Sequence, residues 1–152
     1  YNHPHFSKLT DTQIRSQLDR TEALIRKTCG RSAKPLFRYP YGDSDRHVQK
    51  IVAGRGYQAI QWTLDSLDSV GKPKSAQFVA KRVTGKIKPG SIVLMHVSCA
   101  ESAKALPQIF AYLDKKGIQV VPVSEILLSK PNAPRRLAKT QIHPVSQPKK
   151  TG

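Results

Sequence analysis

The chain has 152 residues, with 26 Lys+Arg against 10 Asp+Glu and a formal net charge of +16. That length is one domain with room for a core, and the charge attracts polyanions, whether nucleic acid, an anionic membrane or an acidic cell-wall polymer. No run of about 18 apolar residues is present, so no membrane-spanning helix is expected, and residues 1–20 hold no short apolar stretch of a secretory signal.

Thr10, followed three residues later by Gln13, reads as a capping box. Ile14, Leu18 and Ile25 then recur near helical spacing until Gly30 stops the helix. PLFRYP reads as a short strand closed by proline, and a second helix begins at Ser44 or Asp45 and runs through Val48, Ile51 and Val52. YQAIQWTLD reads as a strand, SAQFVAKRVTGKI as a third helix, and SIVLMHV as an apolar strand buried on both faces. ESAKALPQIFAYLDKKG gives a fourth helix with Pro107 as a kink or a late start, IQVVPV a last strand, and SEIL a turn. Strand and helix alternate at about 30 residues per unit, which predicts an α/β fold with a parallel sheet.

Residues 129–152 carry Lys130, Arg135, Arg136, Lys139, Lys149 and Lys150 without an acid, and four prolines interrupt any apolar pattern. Such a segment cannot bury enough surface to offset its ordering entropy, so it is expected to be a disordered basic tail on a domain spanning 1–128. Cys29 and Cys99 have no CxxC spacing; a single disulfide is possible outside the cytosol, and two unpaired buried thiols are the other reading.

In parallel α/β folds the chemistry lies at the C-terminal ends of the strands. Arg38, Pro40 and Tyr41 follow the first strand, Asp65 and Asp68 the second, His96 the third, and His3 precedes the first helix. Each has a plain structural reading: a satisfied half-buried histidine, an aspartate capping its own loop, a surface arginine. Their joint position argues otherwise, because a histidine directly after IVLM needs a partner and a carboxylate would favour its imidazolium form. His3 with His5 is a weak metal signal, since zinc takes three or four ligands.

Taken together, NHPHFSKLT, Arg38-Tyr39-Pro40-Tyr41, Asp65-Ser66-Leu67-Asp68-Ser69 and Leu94-Met95-His96 after KPGSIV resemble the motifs of the polysaccharide deacetylases with a NodB-homology domain, carbohydrate esterase family 4. The resemblance runs from Tyr1 to about Leu128. It implies an irregular (β/α) barrel lacking its first strand or strands. It also implies hydrolysis of acetyl groups on a polysaccharide such as peptidoglycan or chitin oligomers, by water activated on a divalent metal, most commonly zinc.

His96 would be the general acid and Asp68 its orienting partner, Tyr41 would lend its backbone N–H to the oxyanion, and Arg38 would orient a base aspartate. Leu94, Pro40 and Trp62 would bind substrate, and His3 would be a metal ligand, with His5 left as a solvated loop residue. Ser69 replaces the family's tryptophan, and Leu67 stands where a polar residue is common. The family's Asp-Asp strand end and first histidine have no match in this chain, so it is expected to be N-terminally incomplete, to hold metal poorly and to be inactive by itself. The resemblance places such a protein outside the cell, in the periplasm or at the cell wall, with the basic tail drawn to an anionic cell-wall polymer or membrane surface. The alternatives are a basic polyanion-binding module and a glycan-binding relative without hydrolysis. The first is disfavoured by the lack of a nucleic-acid motif and the few aromatics, so no specific nucleic acid is expected.

Overall fold

Thr10 caps the first helix, α1 (Asp11–Cys29), with both bonds of the box formed: Thr10 Oγ1 accepts from Gln13 N–H and Gln13 Oε1 accepts from Thr10 N–H. Gly30 ends it at φ 66°, the left-handed conformation that glycine adopts without a Cβ penalty. Thr10→Ala is expected to lower stability by about 1 kcal/mol, read as a fall in the urea midpoint.

The computed structural model describes residues 1–128; the predicted basic tail, 129–152, lies outside the described residues. The remaining helices are α2 (Arg46–Gly54), capped by Asp45, α3 (Ala76–Thr84), capped by Ser75, α4 (Ala100–Lys115) and α5 (Val123–Leu128). No described helix is long and apolar enough to cross a membrane.

Four strands of two residues each form two parallel pairs: β1 (Leu36–Phe37) with β2 (Gln58–Ala59), and β3 (Leu64–Asp65) with β4 (Val93–Leu94). Each pair is crossed by one helix, α2 in the first and α3 in the second, which is the predicted βαβ rhythm. Each pair also has its own core. Phe6, Ile14, Leu18, Tyr39, Val48 and Val52 pack together around the first, and Leu64, Val79, Val83, Ala105, Ile109 and Leu113 around the second.

The strands depart from expectation in three places. YQAIQWTLD is not one strand: Ile60 N–H donates to Phe37 O, but Thr63 N–H donates to Ile92 O, so the segment leaves one pair and joins the other across Gln61 and Trp62. SIVLMHV is not buried on both faces; Leu94 is buried, while Val93 and Met95 are half-buried along a groove of about 830 Å³ that Phe110 and Ile118 also line. IQVVPV forms no strand among the described residues, since Pro122 has no N–H to give and Val120, 68% exposed, has no ladder neighbour. The SEIL segment is helical instead of a turn. Helix α4 starts before Pro107 and continues past it; Pro107 is exposed, as is Ala103, whose carbonyl loses its helical donor and can be hydrated. Both cysteines are free, and Cys29 is exposed where a buried thiol was expected.

Candidate active site

The pairing of β3 with β4 sets Asp65 beside Leu94, so the residues that follow each strand leave the sheet together. Beyond Asp65 the chain makes a tight turn: Asp65 Oδ1 accepts Leu67 N–H at 2.8 Å, Leu67 takes φ 59°, and Ser66 Oγ accepts Asp68 N–H at 3.4 Å. Arg82 Nε donates to Asp65 O at 2.9 Å and ties the turn to α3. Asp65 therefore caps its own loop, and the turn sends Asp68 inward towards the end of β4.

The side chain of Asp68 is 1% exposed and meets three donors. Its Oδ1 lies 2.7 Å from His96 Nδ1, and its Oδ2 accepts His96 N–H at 2.8 Å and Ser102 Oγ–H at 2.5 Å. Burial pushes the carboxyl up, but the hydrogen bonds from Ser102 and from the His96 backbone and ring, with the ring's charge, outweigh it together and hold Asp68 below the ordinary carboxylate range. The His96 ring is 34% exposed, with only Ser69 Oγ, at 3.4 Å, beside Nε2. The ring is thus held at Nδ1 by a buried ionised carboxylate, with the Ser69 hydroxyl beside Nε2.

A second group gathers at the end of β1. Pro40 is buried and opens a tight 3-10 turn, Pro40–Gly42, in which Tyr41 (φ 58°) and Gly42 (φ 70°) are both left-handed. That geometry leaves the Tyr41 ring exposed and, among the described residues, its N–H without an acceptor. His3 meets the Tyr41 ring edge-on with centroids 4.7 Å apart, and His5 stacks on it at 4.1 Å and 15°. His5 is a solvated loop residue, its side chain 56% exposed; its Nδ1 also lies 3.6 Å from Asp43 Oδ2, which accepts both the N–H and the Oγ–H of Ser7. Trp62 is half-buried with its indole edge over Gly42. Arg38 is exposed and, with His3, Phe6 and Pro40, lines a small pocket of about 270 Å³. Leu94 is buried within β4.

The donor set does not fit a metal. No three His, Cys, Asp or Glu side chains are grouped to hold one among the described residues, and His3, the predicted ligand, has an aromatic ring as its neighbour.

Polysaccharide deacetylase is the family whose sequence pattern matches residues 1–60. The fold agrees with a family 4 carbohydrate esterase from Streptomyces lividans, solved in complex with acetate, at TM-score 0.71 and 30% identity, over 78% of this chain and 59% of that one. The chain belongs to the polysaccharide deacetylase family.

Among curated relatives, a peptidoglycan-N-acetylglucosamine deacetylase of Bacillus cereus is 30% identical over 125 residues, which are 80% of this chain and 44% of that protein. A solved family 4 pseudoenzyme from Bacillus anthracis has TM-score 0.76 and 31% identity, over 84% of this chain and 44% of its own. This chain thus spans less than half the length of the Bacillus cereus deacetylase. The fold is of the deacetylase type, and its strands in the described residues form two parallel pairs without ring closure.

Of the predicted residues, the structure joins His96 to Asp68 on the second strand pair, and gathers His3, Arg38, Pro40 and Tyr41, with Trp62, at the first. Ser102 was not foreseen from the sequence. Its signal was present nonetheless: the buried face of α4 reads Ser102, Ala105, Ile109, Leu113, and a hydroxyl on an otherwise apolar stripe needs a buried acceptor.

Proposed function

We propose that this chain carries the proton-delivering part of a hydrolase that removes acetyl groups from the amino sugars of a polysaccharide, with peptidoglycan or chitin-type oligomers as the substrate class. The observation that carries this reading is the His96–Asp68 pair, with Nδ1 bound to a buried ionised carboxylate and Nε2 on a ring that is 34% exposed, beside the Ser69 hydroxyl at 3.4 Å. Cleavage of an amide needs a proton on the departing nitrogen, and an imidazolium held by Asp68 gives it from Nε2 and returns to the neutral ring. The free N–H of Tyr41 is the candidate donor to the carbonyl oxygen, on which charge grows as water adds. Tyr41, Trp62 and the His5 stack present aromatic faces that suit the C–H faces of sugar rings. The deacetylases use a divalent metal to activate water; the described residues do not by themselves fit one. The excess of cations supports a place at an anionic cell envelope, with the polymer held by charge and released by salt.

A glycan-binding relative without hydrolysis is the second reading. The likeness to the solved Bacillus anthracis pseudoenzyme favours it.

One titration addresses both readings, because Trp62 is the single tryptophan of the chain. Chitooligosaccharide is expected to change its emission saturably, and acetate is measured in the same samples. Binding with acetate release supports the hydrolase, and binding without release supports the second reading. No emission change with the sugar, together with a steep salt-dependent change with DNA, overturns both.

A further inference from the structure

Hydroxyl side chains inside helices ordinarily bond back to the preceding turn. Two threonines of this chain do so: Thr21 Oγ1 donates to Gln17 O and Thr84 Oγ1 to Ala80 O, each at 2.8 Å. Ser102, 4% exposed in the first turn of α4, does not; its hydroxyl crosses to the Asp68 carboxylate on the other side of the strand end.

The bond falls on a particular oxygen. Oδ2 of Asp68 takes two donors, the His96 backbone N–H and the Ser102 hydroxyl, whereas Oδ1 takes only His96 Nδ1. Without Ser102 both donors would come from His96 alone, so carboxylate and ring could still shift together about the soft terminal torsion of Asp68. A second donor from a different element fixes its plane. We propose that Ser102 is a positioning residue: it locks Oδ2 of Asp68 so that Oδ1 stays aimed at Nδ1 of His96 and Nε2 stays aimed outward. The inference rests on the reading of His96 as the proton donor and adds the residue that keeps that donor oriented. It also accounts for the serine on the buried stripe of α4, where alanine would pack as well.

The test is ring 15N–1H NMR of the full 152-residue chain, with His96→Gln to assign the resonance. In the native protein the Nδ1–H of His96 is expected far downfield and slow to exchange. Ser102→Ala is expected to speed its exchange by at least about tenfold, the scale of a lost bond to a charged group, while backbone amides beyond the first turn of α4 keep their positions. Ser102→Thr, which keeps the hydroxyl, is expected to restore slow exchange. Unchanged exchange in a folded Ser102→Ala overturns the inference and leaves the deacetylase reading standing. Should Ser102→Ala not fold, Ser102→Cys offers a similar volume and a weak donor; exchange there as slow as in the native protein overturns the inference equally. Asp68→Asn is the separate control. If the slow Nδ1–H resonance survives it, the acid assignment fails and the inference with it.

Discussion

Asp68→Ala is expected to lower the stability of the protein by about 3 kcal/mol, the scale for losing a buried, multiply bonded charged group. The carboxylate satisfies His96 N–H, His96 Nδ1 and the Ser102 hydroxyl within one buried site. Removing it strands the backbone N–H and the hydroxyl together, and each then carries its desolvation cost without a partner. Asp68→Asn is expected to cost less, because the amide oxygen can take those two donors while its NH2 faces Nδ1. That exchange turns a bond that favours the imidazolium into one that demands a bare Nδ1. On the proposed function, any acetate release would then fall by about 10²–10⁴, the usual share of a general acid, although the fold is largely kept. Urea unfolding of the two variants beside acetate release separates the structural role from the chemical one; equal stability of Asp68→Ala and the native protein would remove the argument for both.

The stability effect has a definite pH dependence. The folded carboxyl of Asp68 is held below its ordinary value, so its contribution is complete above about 3.9, the unfolded aspartate value, and is lost as pH falls through the lower folded value. The gap between the native protein and Asp68→Ala is therefore expected to shrink as pH falls below about 4. Glu22 titrates in the same region. The Ser32 hydroxyl, the Ala33 N–H and Arg26 outweigh desolvation there and bring its carboxyl down to about 2, so its own contribution also shrinks from about pH 4.3, the unfolded glutamate value, downward. The comparison is for that reason made between native and variant at each pH, where the Glu22 contribution cancels.

How much of this was readable in advance depended on whether the signal was local. The helices were, because a cap and a 3.6-residue stripe are properties of the segment itself: Thr10 with Gln13 caps α1 as the pattern places it, and Asp45, one of the two starts read for the second helix, caps α2. The strands were not, because a strand exists only where a neighbour accepts its ladder. IQVVPV has the composition of a strand and no partner, and YQAIQWTLD divides because its two halves meet different neighbours. The His96–Asp68 pair was legible because each residue lies just past a strand, and parallel register brings strand ends together. The stack of His5 on Tyr41 was not, since it depends on left-handed backbone at His3 and Tyr41, two non-glycine residues for which nothing local demands that conformation.

Gly42→Ala is expected to act on the opposite rim, through two effects that can be told apart. Gly42 has φ 70°, and an added Cβ would stand 3.0 Å from Trp62 Cη2. The left-handed backbone alone costs a residue with a side chain about 1–2 kcal/mol. The contact adds a demand that the indole move by a few tenths of an ångström, and Trp62 is one of the residues proposed to meet the sugar. Gly30 supplies the reference, with φ 66° at the end of α1 and nothing within 4 Å of its added Cβ. Gly30→Ala should therefore show the backbone cost without the displacement: a lower urea midpoint, unaltered tryptophan emission and unaltered oligosaccharide affinity. Gly42→Ala should show at least the same loss of stability together with shifted emission and weaker binding. If the two variants behave alike in all three measurements, Trp62 does not depend on Gly42 for its position. The rim would then have to be built from Tyr41 and the His5 stack alone, which His5→Ala would test directly.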